Sequence, residues 1–208
     1  MNTRVQRKEE SRQRILTSAA KRLRREGLGG ASVAAVMDDA GLTHGAFYSH
    51  FQNKGELARA ALEEALRHNR KRWTGGWSRG SWASRLSDLA KRYLTPNHRD
   101  NLDDSCALTA LCSETARSDE SFRATYQTEL TKTLSAIADQ NFNELDRQQA
   151  DDVLAFMSLL VGSMALSRAV DSGPLSDRIL DVGREAASRL ASVDSQSPAI
   201  QKENTHHE

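Results

Sequence analysis

The chain has 208 residues, of which 38% are hydrophobic and 27% are charged, and its formal net charge is +1. A chain of this length can bury a real core and suits one large or two small domains. Its composition argues against two classes, since no apolar run approaches the roughly 20 residues of a membrane span and two cysteines are too few for a disulfide framework. Because the polar, basic N-terminus also lacks the apolar segment of a secretory signal, we expect a cytoplasmic protein.

Three prolines, abundant Ala, Leu, Arg and Glu, and few β-branched runs predict an all-α fold of about nine helices. The charge is unevenly distributed along the chain. Residues 1–72 contain 15 Lys/Arg and 8 Asp/Glu, whereas residues 73–208 contain 14 and 20. This asymmetry indicates a first segment that meets phosphate and a following segment that does not.

The first predicted helix carries one apolar stripe. Residues Met1 to Gln6 are expected to form a mobile basic arm before it. The helix then runs from about Lys8 to Glu26, because its apolar residues recur at helical spacing, and Gly27 is expected to end it. The stripe consists of Ile15, Leu16, Ala19, Ala20 and Leu23. Such a helix can cover the apolar side of the two helices that come next.

Residues 32–51 predict two short helices joined by a tight turn. Ser32 is a good N-cap for the first helix, and Gly41 supplies the left-handed conformation that ends it. Thr43 can cap the second helix, whose apolar residues Phe47 and Phe51 are four positions apart. Two helices in this arrangement, the second short and polar on its outer face, are typical of a DNA-binding helix-turn-helix. An ordinary turn in a helical bundle is the structural alternative.

The polar side of the second short helix is the predicted DNA-binding surface. Its side chains lie off the Phe47/Phe51 face and could reach base edges or phosphates, and its small residues allow the backbone to approach DNA. Lys54 follows the next N-cap, where free N–H groups and an ammonium together form a phosphate clamp. The candidate DNA-binding residues are Thr43, His44, Gly45, Ala46, Tyr48, His50 and Lys54.

A fourth helix is predicted to follow this unit and to connect it to the remainder of the chain. Asn53 caps it, Glu56 stands at its third position as in a capping box, and it runs to about Arg72. The Gly- and Trp-rich stretch from Trp73 to Trp82 interrupts the helical pattern. That stretch is the predicted domain boundary or flexible loop.

Five further helices are predicted beyond the loop. The first spans about Trp82 to Leu94 and is stopped by Pro96, which opens a polar loop. The last begins at Pro174, since proline is well placed at a helix start. The tail from about Asp194 is polar and is expected to be disordered. The three helices between lie near residues 104–117, 122–137 and 148–170.

The stretch from Ser32 to Leu57 also carries a motif. It follows the pattern T-x-x-x-V-A-x-x-A-G-[VL]-[ST]-x-G-x-[FL]-Y-x-[HY]-F-x-[NS]-K-x-x-L, with Ser32 for the commoner Thr and Gly55 for the usual acidic residue. The matching residues are Ser32, Val36, Ala40, Gly41, Leu42, Thr43, Gly45, Phe47, Tyr48, His50, Phe51, Asn53, Lys54 and Leu57. Over about residues 10–60 the chain thereby resembles the TetR (tetracycline repressor-like) family.

This resemblance implies a homodimer that represses transcription at a palindromic operator until a small ligand binds the larger C-terminal helical domain. It suggests that the last two helices form the dimer's four-helix bundle, and both present small residues such as Gly162 and Gly183 beside apolar ones. The alternative is that these small residues serve packing within one chain. The DNA contacts that the resemblance implies are carried by Thr43, His44, Tyr48, His50 and Lys54.

The resemblance does not extend to a particular ligand. Aromatic and apolar residues of the C-terminal part are candidate pocket walls, because drug-sized ligands favour such surfaces. An aromatic stripe at helical spacing is more often core than pocket, so core packing is the alternative. The candidate pocket residues are Trp77, Trp82, Cys112, Phe122, Tyr126 and Met157.

The two cysteines raise a redox alternative, in which a thiol-based repressor senses oxidants or electrophiles through Cys106. Six residues of straight helix rise about 9 Å, beyond the roughly 7 Å between Cα atoms that a disulfide allows, so no bridge between the two is expected. Cys112 shares a helical face with Leu108 and Leu111. It is therefore predicted to be a small, buried core residue.

Signatures of enzymes and metal sites are missing from the sequence. It contains no HExxH, P-loop, GxGxxG or Cys/His metal spacing, so neither a metal nor another cofactor is expected. His98 and the aspartates that follow it are interpreted as a polar loop. A helical enzyme or interaction module with an incidental helix-turn-helix shape is the alternative from another class, and a specific, salt-sensitive complex with DNA would discriminate against it.

The resulting interpretation is a ligand-responsive transcriptional regulator that is not an enzyme. We expect a helix-turn-helix domain at residues 1–50, a helical effector-binding and dimerisation domain at residues 51–193 and a disordered tail at residues 194–208. The expected partners are double-stranded operator DNA, a small-molecule effector and a second copy of the chain, without a membrane. Ligand binding is expected to shift the population of DNA-binding conformations.

Overall fold

The computed structural model describes residues 3–75 and 81–193. Within these ranges the chain is helical and contains no strand, which confirms the predicted all-α fold. Trp77, which we predicted to line a pocket, and the tail from Asp194 lie outside the described residues.

Ten α-helices follow one another in the described ranges, and short 3₁₀ turns stand at Leu102–Asp104 and Phe142–Glu144. The helices are α1 Thr3–Gly30, α2 Val33–Asp39, α3 His44–Phe47, α4 Lys54–Thr74, α5 Trp82–Tyr93, α6 Pro96–Asp100, α7 Ala107–Thr115, α8 Glu120–Ala138, α9 Arg147–Ala169 and α10 Pro174–Val193.

Helix α1 begins earlier than the sequence indicates. Because it starts at Thr3, the prediction of a mobile arm over Met1–Gln6 is wrong for the residues that the structure describes. The predicted apolar stripe is buried, with Ile15 fully inside the core. The chain leaves the helical conformation at Gly27 (φ 72°, ψ −171°), as predicted, and one further turn brings it to Gly30.

The predicted caps of α2 are present, whereas Thr43 stands at the N-cap position of α3 without a side-chain cap hydrogen bond. The Ser32 hydroxyl accepts a hydrogen bond from the Ala35 N–H at 3.2 Å. Gly41 adopts the left-handed conformation (φ 62°), and the following Leu42 N–H donates to Met37 O at 2.9 Å. These local bonds end α2 and set the direction in which α3 begins.

Helix α4 packs along α1 on one side and along α8 on the other. Asn53 caps it through a 2.9 Å bond from the Glu56 N–H, and the Glu56 carboxylate accepts a 2.7 Å bond from the Gln52 N–H. The helix continues to Thr74, and Trp73 lies buried within it. The predicted loop from Trp73 to Trp82 therefore starts too early, because the Trp73 ring packs into the core.

The helix over Pro96–Asp100 was not predicted. Pro96 does follow the end of α5, but it also occupies the first position of α6, where its missing N–H costs nothing. Thr95 caps this helix by accepting a 3.1 Å bond from the His98 N–H.

The core of the C-terminal part is formed where α9 packs against α10, α7 and α8. Helix α9 is also the one described helix that is long and apolar enough to cross a membrane, a criterion that core helices of soluble proteins meet as well.

Candidate DNA-binding surface and effector cavity

Helix α3 divides its residues between the core and the solvent. Phe47 and Phe51 are buried, with 1% and 2% of their surface exposed, and their rings stack at 5.9 Å. Thr43, His44 and Gly45 lie on the opposite, exposed side. Two buried rings thus fix the orientation of a helix that is only four residues long.

Tyr48 is the most prominent side chain of this surface. Its side chain is 67% exposed, yet its ring meets the edge of Phe47 at 5.2 Å between centroids. The His44 ring lies 6.0 Å from the Tyr48 ring. The contact with a buried ring holds Tyr48 in place on the exposed side of the unit.

Arg12 of α1 contacts His50 and Phe51, the residues that follow α3. Arg12 donates from Nη1 to His50 O at 3.2 Å, and its guanidinium lies 4.5 Å from the centre of the Phe51 ring. His50 is half-buried and its Nδ1 finds no partner among the described residues. Burial, together with the positive charges of Lys8 and Arg12, lowers the pKa of His50, so its ring is neutral near pH 7.

Lys54 is the first residue of α4 and is exposed. Its Nζ lies 3.5 Å from Gly29 O, a separation at the limit for a hydrogen bond. The ammonium can therefore turn towards a phosphate at little cost. Ala46, the remaining DNA-binding candidate, is half-buried against the core of the unit.

The structure thus places Thr43, His44, Gly45 and Tyr48 together on one exposed side. Ala46 and His50 lie at its inner edge, and Lys54 stands at the start of the next helix. Arg12 was not foreseen, because only the fold brings it to α3. The roles of these residues in binding DNA stay predictions.

A small apolar cavity lies among α4, α5, α7, α8 and α9. Its void is about 20 Å³, which is room for about one water molecule. The Trp73 ring lines the cavity and is buried, and its indole N–H finds no acceptor among the described residues. Further wall residues are Leu66, Leu89, Tyr93, Cys106, Met157 and Leu160.

The predicted pocket residues do not come together in one site. Met157 lines the small apolar cavity, whereas Trp82 lines a separate cavity of about 260 Å³. Phe122 is a buried core residue, and the Tyr126 hydroxyl donates to Leu108 O at 2.8 Å and so holds α8 against α7. Helical spacing alone did not reveal which aromatic side chains share a cavity.

The two cysteines are free, and their burial differs from the prediction for one of them. Cys112 is exposed, so its interpretation as a buried core residue is wrong: α7 turns Leu108 and Leu111 inwards and Cys112 outwards. Cys106, with 3% of its surface exposed, is the buried thiol and stands at the N-cap of α7.

Comparison with known families adds an independent observation. Residues 15–61 match the family of bacterial regulatory proteins called the tetR family. The match runs from the middle of α1 to the first part of α4 and includes each candidate DNA-binding residue. No curated protein matches the chain.

Solved structures resemble the whole fold. A TetR-family transcriptional regulator from Cytophaga hutchinsonii has a TM-score of 0.71 at 18% identity, over 90% of this chain and 96% of that chain. A TetR regulator from Chloroflexus aurantiacus has a TM-score of 0.68 at 20% identity, over 92% and 98%. AibR, crystallised with isovaleryl coenzyme A and operator DNA, has a TM-score of 0.54 at 16% identity, over 85% and 97%. At these identities the similarity concerns the fold.

Proposed function

We propose that this chain is a member of the tetR family of bacterial regulatory proteins that binds operator DNA as a homodimer and leaves it when a small molecule binds its C-terminal helices. The observation that carries the proposal is the exposed polar side of α3, held on two buried phenylalanines within the segment that matches the family. Such a helix can enter the major groove, where side chains read base edges.

Within this proposal the candidate residues divide into three roles. Thr43, His44 and Tyr48 contact base edges or the adjacent phosphates, while the small Gly45 allows close approach of the backbone. An added Cβ at Gly45 would meet nothing within 4 Å, so the chain itself does not require glycine there. Lys54 contacts a phosphate from the start of α4.

The dimer is proposed to form through α9 and α10. An apolar row on α10 contains Leu175 and Val182, which are 61% and 48% exposed, and continues to Leu190 at 43%. On α9, Leu166 is 60% exposed. Large apolar side chains exposed in a row on two neighbouring helices fit the burial of a four-helix interface with a second copy.

The glycines of the two helices support this arrangement. A Cβ at Gly183 would come within 2.5 Å of the Ser163 Oγ, so Gly183 lets α10 pack closely on α9 in the same chain. A Cβ at Gly162 would meet nothing within 4 Å. Packing within one chain therefore accounts for the small residue at Gly183 but not for the one at Gly162. We propose that Gly162 allows a helix of the partner subunit to approach closely.

The effector is proposed to bind by enlarging the small cavity beside Trp73. Its walls are almost entirely apolar and come from five helices, as expected for a small-molecule site in a helical domain. A hydrogen-bond acceptor on the ligand would satisfy the buried indole N–H. AibR, whose fold this chain shares, was crystallised with both an acyl coenzyme A and operator DNA.

Helix α4 can carry the response, because it contributes walls to the cavity and packs along α1. Arg70 on α4 forms a 2.6 Å ion pair with the buried carboxylate of Glu129 on α8. Movement of α8 or α9 around a ligand would therefore move α4 as well. In a symmetric dimer this changes the separation of the two α3 helices relative to successive major grooves.

The burial of Cys106 argues against the alternative in which this thiol senses oxidants or electrophiles, because such a reaction requires an accessible thiolate. We propose a repressor that acts in the cytoplasm and catalyses no reaction.

Binding of the purified protein to DNA upstream of its own gene tests the proposed function. A gel-shift titration should give a specific complex that resists unlabelled competitor DNA of unrelated sequence and weakens steeply with salt. The absence of a specific complex at low salt would contradict the proposal and favour the alternative, an interaction module.

A further inference from the structure

The break in α1 at Gly27 is closed by a side chain from α7. The Glu114 carboxylate accepts a 2.7 Å hydrogen bond from the Leu28 N–H, which is one of the backbone groups that the break leaves without a helical partner. Gly27 has a φ of 72°, and a Cβ there would collide with the same carboxylate. Glycine at position 27 thus permits both the positive φ and the close approach of the Glu114 carboxylate.

A second contact from the same segment holds the preceding turn of α1. Arg24, with 8% of its surface exposed, donates from Nε to Asp103 O at 2.8 Å and also from Nη2. Arg25 lies 3.4 Å from the Asp103 carboxylate. Residues 103–114 therefore bind the last turns of α1 at two points, Arg24 and Leu28.

The opposite end of α7 is fixed beside the same apolar cavity. His98 Nε2 accepts from the Cys106 N–H at 2.9 Å, and Asn69 Oδ1 accepts from the Ala107 N–H at 3.1 Å. Cys106 and Leu108 line the cavity. Helix α7 rises about 9 Å from Leu108 to Glu114 and so connects this wall of the cavity to Glu114.

We propose that Glu114 is a positioning residue for the DNA-binding helices. Its bond to Leu28 couples α7 to the end of α1, so a ligand that displaces Cys106 and Leu108 also displaces the unit formed by α1, α2 and α3. This inference rests on the proposed function for its regulatory meaning. It names a second connection between cavity and DNA-binding unit, in addition to α4.

The connection is a direct one, because it acts through a single charge-assisted hydrogen bond. Arg24 and Arg25 hold the turn before the break, whereas Glu114 alone among the described contacts takes the Leu28 N–H beyond it. Loss of the carboxylate should therefore loosen α2 and α3 relative to α8 while the core of α1 stays packed. A purely structural role would instead lower the stability of the whole fold.

Two measurements on the free protein test this proposal. Hydrogen exchange of the Leu28 amide should become about tenfold faster in Glu114→Ala, since one hydrogen bond is lost. Spin labels at Ser49→Cys and Thr128→Cys, in a Cys112→Ser background diluted with unlabelled protein, report the distance between the DNA-binding unit and α8. That distribution should be narrow in the parent and broader in Glu114→Ala.

Matched variants decide the interpretation. Glu114→Gln keeps an acceptor for Leu28 and should restore the narrow distribution, while Glu120→Ala, at the exposed start of α8, should behave as the parent. Gly27→Ala should reproduce the broadening because its Cβ expels the carboxylate, and it serves as the test should Glu114→Ala fail to fold. An unchanged distance distribution in both variants would overturn the proposal, whether or not the exchange of the Leu28 amide becomes faster. Since neither measurement uses DNA, a failed gel shift would refute the proposed function separately.

Discussion

The Nε2 atom of His98 accepts a hydrogen bond from the backbone N–H of Cys106 at 2.9 Å, while Nδ1 of the same ring lies 2.6 Å from Tyr93 O. An N–H must donate and a carbonyl must accept, so the neutral ring carries its proton on Nδ1. The ring is 2% exposed, and burial lowers the pKa of His98 to about 4. A neutral imidazole thus joins the end of α5 to the start of α7.

This ring predicts a pH dependence of stability. The pKa of His98 is about 4 in the folded chain and about 6.5 in an unfolded one. The unfolded chain therefore binds more protons between these values, and the stabilisation present above pH 6.5 is lost as the pH falls towards 4. Between pH 7 and pH 5 the free energy of unfolding should fall by about 2 kcal/mol from this group.

Urea unfolding at the two pH values measures this loss. His98→Gln serves as the control, because it removes the titrating ring and leaves every other titrating group in place. The variant is expected to be less stable at pH 7 but to lose about 2 kcal/mol less on acidification. Equal losses in both proteins would show that His98 is not held neutral.

Lys54→Ala should weaken DNA binding to a similar degree on every DNA sequence. If its ammonium contacts one phosphate, the slope of log K against log salt should become shallower by about one unit. Fluorescence anisotropy at several salt concentrations measures that slope. Lys91→Ala, which removes an exposed lysine from α5, should leave the slope as it is. An unchanged slope in Lys54→Ala would rule out the phosphate contact.

His44→Ala should change which sequences the protein prefers. The ring is exposed and its nearest aromatic neighbour is Tyr48, so the fold should keep its stability within about 0.5 kcal/mol. Loss of a base contact should cost about 1–3 kcal/mol on the preferred site and less on variants of it. Selection from a random DNA pool, compared between parent and variant, measures this change. Identical preferences would remove His44 from the base-reading surface.

Substitutions at Gly162 and Gly183 should have different consequences, one for dimerisation and the other for stability. Gly183→Ala should lower the free energy of unfolding by about 1–3 kcal/mol, because its Cβ collides with Ser163 inside the chain. Gly162→Glu should leave the fold intact and separate the dimer, since a charge would enter the proposed interface. Thr128→Glu, on the exposed side of α8, is the matched control. Sedimentation velocity and thermal unfolding distinguish the effects; a dimeric Gly162→Glu protein would contradict the proposed interface.

The parts of the fold that sequence predicted well depend on local chemistry. Ser32, Gly41 and Asn53 mark the ends of α2 and the start of α4 by bonds that reach only a few residues along the chain. Residue type and spacing therefore located them. The same locality explains why the stretch that resembles the TetR family was recognisable without knowledge of the C-terminal helices.

The parts that sequence missed depend on contacts between distant segments. Pro96 signals both the end of one helix and the start of another, and a local pattern does not separate these meanings. The side of α7 that faces the core is set by α1, α8 and α9, which turn Cys112 outwards. The Glu114 carboxylate and the Leu28 N–H are 86 positions apart in the sequence, so no local motif predicts their hydrogen bond.

Hydroxyl-radical footprinting on DNA that carries the binding site tests most directly whether α3 of each subunit lies in a major groove. We expect two protected tracts related by twofold symmetry, with centres about 34 Å apart along the duplex. Both tracts should disappear in Gly162→Glu, which is expected to be monomeric. A single protected tract, or the same two tracts from a monomeric protein, would show that two α3 helices do not bind as a symmetric pair.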